Sequence, residues 1–196
     1  MHRSARSPST CLLRAALLGG LLGLATAPAA AQQPAPSPAQ SVSVDSIRTL
    51  LARYKDPMMA IHDGYHSTVA CVEFPEGAMG VHFINVQTIG PTVDPSKPQV
   101  LMYEPVGDSL RLAGAEWFVP LATGVKEAPV LFGETFDGPM DGHHPVMPHD
   151  LRHYDLHVWL FKDNPRGMFT AVNTAISCAG QSYRVMGELE PTVRHR

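Results

Sequence analysis

A mainly β domain of the α+β class, an antiparallel barrel or sandwich with an N-terminal helical segment, is what this sequence predicts. Three observations carry that expectation. Five β-branched or aromatic runs, separated by Gly, Pro and Asp clusters, follow one another between Thr68 and Phe161. Helical periodicity is confined to a short stretch before them. The 18 prolines and 16 glycines lie mostly between the runs, as short strands joined by ordered loops require.

Residues 1–31 read as a secretory signal peptide. Arg3, Arg6 and Arg14 precede an uncharged apolar run, Ala15 to Ala25, and Ala29 and Ala31 stand at the small-residue positions of an A-x-A cleavage site. The run is too short to cross the hydrocarbon core, which takes about 20 apolar residues, so no membrane span is expected once the leader is gone. Cys11 lies before the apolar run instead of at its end, which argues against a lipoprotein. The expected location is therefore the periplasm or the extracellular space.

Residues 32–42, opening QQPAPSPAQS, form a Pro/Ala/Gln/Ser linker with nothing to bury, and residues 43–196 are expected to make one globular domain. Ser43 or Asp45 can cap a helix in which Ile47, Leu50, Leu51 and Tyr54 share one face. Asp56-Pro57 opens a second short helical piece carrying Met58, Met59 and Ile61, and Gly64 ends it. Thr68–Phe74, Gly80–Thr88, Gln99–Glu104, Leu110–Pro120 and Tyr154–Phe161 are the strands, with Met168–Ser177 and Ser182–Met186 as weaker ones.

Charge narrows the partners. Without the leader, twelve basic residues face eighteen acidic ones, a net −6 in place of the −3 of the whole chain. That sign disfavours nucleic acid and anionic lipid, both of which are held by clustered Lys and Arg. A small-molecule ligand or a metal ion is the expected partner, and self-assembly is compatible with the composition. Of the three cysteines, Cys71 and Cys178 outlast the leader. In an oxidising compartment two distant cysteines pair, the alternatives being thiolate metal ligands or buried thiols.

Ionisable residues interrupt the apolar faces of the strands. Side chains two apart point the same way. His82 then lies with Ile84 and Val86, Glu104 with Val100 and Met102, Glu116 with Leu110, Leu112 and Phe118, and His157 with Trp159 and Phe161. A buried carboxylate is costly unless paired, protonated or bound to a cation. Two imidazoles and two carboxylates converging in one barrel would be satisfied together by a divalent transition metal, Zn, Fe, Mn or Cu. Three of them also have a plainer reading, whereas Glu116 stands among large apolar neighbours. His82 can be a hydrogen-bonded core residue, Glu104 can end its strand in water, and His157 can pair with Asp155 or a backbone carbonyl.

A second cluster lies in Phe136–Asp150, FDGPMDGHHPVMPHD, which holds Met140, His143, His144, Met147 and His149, with His153 and His157 just beyond. Imidazole with thioether suits copper, Met favouring Cu(I). A solvated surface loop and a lid over the strand-borne residues are the alternatives. The chain has no G-x-S-x-G, H-E-x-x-H, C-x-x-C-H or phosphate-binding Gly-rich loop.

GAMGVHF (77–83), LMYEP (101–105), GAEWF (114–118) and LHVWLFKDNPRGMF (156–169), closed by Cys178, resemble a family of small exported bacterial proteins of uncharacterised function. The resemblance runs from about Ala60 to Cys178 and implies no catalytic residue. The chain is also loosely similar to the cupins, β-barrels that hold a metal with His and Glu from separate strands. It departs from them in lacking an H-x-H-x(3,4)-E cluster, so only the plausibility of a strand-borne site follows. The functional expectation is an exported metal-binding β protein, in one form an enzyme acting on a small molecule. The alternatives are a non-catalytic envelope protein that binds a ligand or assembles with itself, and copper handling through the His/Met loop.

Overall fold

A computed structural model describes residues 42–143 and 147–186. The leader, nearly all of the linker and His144 lie outside them. With 38% of the chain in strands and 17% helical, the protein is mainly β, and its principal sheet is a curled half-barrel.

The N-terminal helical segment forms where its caps allow. In α1 (Val44–Leu51), the Ser43 hydroxyl accepts from the Ser46 N–H, and Ile47 and Leu51 are buried. Leu50, expected on the same face, points outward. The chain tightens into a 3₁₀ turn over Ala52–Lys55. Asp56 then caps α2 (Pro57–His62), accepting from the Met58 N–H, with Pro57 in the first turn. Only Ala60 of this helix is buried, while Met58 and Ile61 are exposed, so α2 docks through a small residue.

Among the described residues nine strands follow: β1 (His66–Phe74), β2 (Gly77–Ile84), β3 (Val100–Val106), β4 (Ser109–Pro120), β5 (Val130–Leu131), β6 (Glu134–Thr135), β7 (Asp137–Met140), β8 (His153–Val158) and β9 (Arg184–Met186). Seven make one sheet in the order β7-β8-β4-β3-β2-β1-β9, and β5 with β6 makes a small second sheet. Every pairing in the large sheet is antiparallel except that of β9 with β1, so the sheet is mixed. The Cys71–Cys178 disulfide, spanning 107 residues, ties β1 to the segment leading into β9.

Several expected strands have different limits. Val86–Thr88 is a 3₁₀ turn capped by Asn85. The strand expected to reach Phe161 stops at Val158, because the Trp159 N–H donates to the Met168 carbonyl and the Phe161 N–H to that of Ala113. Residues 168–177 contribute a single bridge, Ala78 with Asn173, and otherwise form turns. The supposed loop from Phe136 begins as a strand, β7.

One glycine is required by close approach. Gly80 has φ +84°, and a Cβ there would lie 2.2 Å from the Tyr103 carbonyl oxygen. It sits beside the register shift between β1 and β2.

The strands have two different faces. On one, Leu101, Tyr103, Ala115, Trp117, Val119, Leu156 and Val158 join Ile47, Leu51, Ala60 and Tyr65 in the main core. Tyr103 fastens this face to the helical segment by donating its hydroxyl to the Tyr54 carbonyl at 2.8 Å. The other face carries the ionisable residues.

Candidate metal centre

Register brings the polar side chains of the second face together. His82 on β2 pairs with Met102 on β3, Val100 pairs with Glu116 on β4, and Glu116 pairs with His157 on β8. Directly opposed residues of an antiparallel pair share a face. His82, Glu116 and His157 therefore stand on one side of four adjacent strands. All three are buried, and one donor atom from each lies within 4.8 Å of the others. Between them, Gly114 faces Met102 and leaves room for its methyl, which a Cβ would approach to 2.9 Å.

The spacings fall outside those of hydrogen bonds. Glu116 Oε2 is 3.6 Å from His157 Nε2 and 3.8 Å from His82 Nε2. A charge-assisted hydrogen bond between such groups measures about 2.7–2.9 Å. Two donors each about 2.1 Å from one tetrahedral ion are, by contrast, about 3.4 Å apart. His82 Nδ1 and both ring nitrogens of His157 are buried without a hydrogen-bond partner. Buried polar atoms are rarely left so; of these, His157 Nε2 faces Glu116, and an ion between the two supplies its missing partner. By both spacing and donor chemistry, His82, Glu116 and His157 fit a divalent metal.

Of the local electrostatics, the neutral state of His82 agrees with that fit, while an ion would have to displace the proton held on His157. Burial, helped by the neighbouring His157, pushes His82 down to about 3 and leaves it neutral, the form in which imidazole binds metal. Burial raises Glu116 to about 7, against the pull of His157. For His157, burial opposes the charge, but the carboxylates of Glu116 and Asp155 overcome it and hold the ring up to about 9. Burial likewise disfavours the Asp155 anion, yet His157 and His153 hold it well below the carboxylate range. These groups form a chain of mutually dependent charges.

A cavity of about 30 Å³ opens beside the three residues, room for a water-sized occupant. His82, Glu116, Asp155, His157 and His143 line its polar side, and Val72, Met79, Ile84, Val100 and Met147 its apolar side.

Glu104 lies apart from this group. It sits on the same face of β3 as Val100, but four residues along, which is about 13 Å of strand. Its carboxylate accepts from Lys162 Nζ at 2.7 Å and lies 3.8 Å from Arg111. Face neighbours also differ from the simple period-2 expectation. An extra residue on β4 opposite Met102/Tyr103 moves Leu112 to the core face, so Leu112 and Glu116 point oppositely. Trp159, beyond the end of β8, donates its indole N–H to the Thr170 carbonyl instead of flanking His157.

The loop cluster does not gather into one group. Met140 pairs with His153 at the end of β7, and Met147 lines the cavity. His143 stacks edge-on against His153 with ring centroids 5.6 Å apart. His149 is exposed, 3.6 Å from Asp141. His144 lies outside the described residues. What strand-face reading underweighted is H-x-D-x-H, His153, Asp155 and His157, three ionisable residues on one face of one strand. That period-2 spacing was the available signal.

No family model, no curated protein and no solved structure matches this chain.

Proposed function

We propose that this chain is an exported metal-binding protein in which His82, Glu116 and His157 hold one divalent transition ion. The observation that carries the reading is the buried trio itself, with donor atoms 3.6–3.8 Å apart and ring nitrogens left without hydrogen bonds. Two imidazoles and one carboxylate are a ligand set found in catalytic sites, where three protein ligands leave a coordination position open. An ion so held supplies Lewis-acid activation of a small molecule. The cavity beside the trio has room for a water-sized molecule at that open position. Export rests on the leader-like N-terminus and is compatible with the Cys71–Cys178 disulfide.

Elemental analysis of the full chain purified from a bacterial periplasm tests the metal. The expected result is at least one equivalent of metal in the wild type and about one equivalent less in Glu116→Gln and His157→Ala. Trace metal alone in a folded wild-type protein would end the proposal.

The size of the cavity favours a second reading, a non-catalytic envelope protein, because about 30 Å³ admits a water but no substrate of ordinary size. Under that reading a chelator leaves the melting temperature unchanged. A resident ion present at about a thousand times its Kd would instead contribute about 4 kcal/mol, which chelation removes.

A further inference from the structure

Beside the first trio stands a second set of donors. His153 and Asp155 are almost fully buried on β8, at 0% and 2% exposure, and His143 approaches them from the segment after β7. One donor atom from each of His143, His153 and Asp155 lies within 4.8 Å of the others.

The tautomer of His153 follows from its partner. His153 Nδ1 is 2.9 Å from the Leu151 carbonyl oxygen, which can only accept, so Nδ1 carries the hydrogen. In the neutral ring Nε2 is then a bare lone pair. That nitrogen is buried, has no hydrogen-bond partner, and faces Asp155 Oδ2 at 3.5 Å. A lone pair facing a carboxylate oxygen is relieved by a proton on the ring, which Asp155 favours, or by a cation between the two, and 3.5 Å is wider than a direct hydrogen bond. A histidine that gives one N–H to a backbone carbonyl and keeps the other nitrogen free is arranged as metal ligands are. The spacing again matches the roughly 3.4 Å between two donors of one tetrahedral ion.

Asp155 also links this set to the first. Its Oδ1 lies 3.6 Å from His157 Nδ1, while Oδ2 turns to His153. One carboxylate thus faces an imidazole of each group, and His143 lines the same cavity as His82, Glu116 and His157. Among the described residues, the ion-pair partners of Glu116 and Asp155 are imidazoles, whereas Glu104 has Lys162 and Arg111.

We infer that His143, His153 and Asp155 form a second divalent transition-metal position, contiguous with the first, so that the chain carries a two-ion centre with Asp155 between the ions. Asp155 is a ligand at the second position and orients His157 at the first. This rests on the proposed function for the two-ion form, but the second position is testable by itself.

The full chain is loaded with Zn²⁺, dialysed, and assayed for bound zinc by elemental analysis, with circular dichroism to establish the fold of each variant. Two equivalents are expected in the wild type. His143→Ala, which alters only the loop-borne ligand, and His153→Gln should each keep one, and so should Glu116→Gln. One equivalent that survives both His143→Ala and His153→Gln but not Glu116→Gln overturns the second position and leaves the first. One equivalent lost in His143→Ala and His153→Gln but kept in Glu116→Gln upholds the second position and removes the first. A single equivalent lost in all three variants overturns two separate positions, and none in the wild type overturns both. Should His153→Gln fail to fold, His143→Ala alone decides between these outcomes.

Discussion

The two faces of the half-barrel are made by the same strands and obey different rules. On the helical side, Trp117, Tyr103 and Leu101 are fully buried among apolar side chains, and the polar atoms of the two aromatic ones reach backbone carbonyls, Trp117 Nε1 that of Asp94 and the Tyr103 hydroxyl that of Tyr54. On the other side, Glu116 alternates with Ala115 and Trp117 along β4, and His157 with Leu156 and Val158 along β8; both are buried, yet the ring nitrogens of His157 are left unsatisfied. The first face is built for stability. A face whose buried charges depend on one another for neutralisation contributes little to folding, since desolvation offsets the attraction, and such an arrangement persists where a ligand uses it.

The same contrast recurs between two carboxylates. Glu104 and Glu116 lie on adjacent strands and on the same face, and both are buried. Lys162 reaches Glu104 Oε1 across the sheet end at 2.7 Å, a direct ion pair, while Oε2 lies 3.8 Å from Arg111 and is itself without a hydrogen bond. Among the described residues, the ion-pair partners of Glu116 are imidazoles, at distances that leave a gap.

The sharpest break between the faces is Trp117→Ala. It should cost about 3–5 kcal/mol in denaturant unfolding, from lost burial and the cavity left behind, with metal content per folded molecule unchanged. Metal loss in that variant would mean that the two faces are not separable. Next, Cys71→Ala with Cys178→Ala releases a loop of 107 residues and should destabilise by about 2–5 kcal/mol, measured against the oxidised wild type. A smaller effect separates the carboxylates. Glu104→Gln should lose about 1–2 kcal/mol with its ion pair and keep its full metal content, while Glu116→Gln loses the ion of the first position. Equal metal content in the two variants would erase the distinction.

The smallest expected effect is a pH dependence confined to the metal-free protein. His157 is held at about 9 against an ordinary 6.5, so the folded state binds this proton more tightly than the unfolded one. Its contribution is complete below about 6.5 and is lost as pH rises through about 9. Glu116, raised from 4.5 to about 7, acts in the same direction over a lower range. Melting temperature in chelator should therefore fall between pH 6.5 and 9. A flat profile over that interval would show that the network carries no such linkage.

Local chemistry was legible in the residues themselves. Ser43 and Asp56 cap the two helices because short side-chain oxygens satisfy the first free N–H groups wherever they precede a periodic run. The mainly β texture followed from β-branched and aromatic runs between Gly and Pro, and the cysteine pair from an oxidising setting. That His82, Glu116 and His157 break apolar faces was equally plain, because alternation is a property of one strand and needs no partner. Which of these residues meet depends on how the strands are aligned, and no single strand carries that information. A one-residue bulge on β4 reversed the side of Leu112, and the run of β3 placed Glu104 about 13 Å from Val100, the partner of Glu116. Asp155 and His153 became part of the centre only when β8 was laid against β4. The sequence by itself determined which side chains are polar where burial is demanded. Only the tertiary structure decided which of them share a site, because register and bulges are set by the packing of the whole sheet.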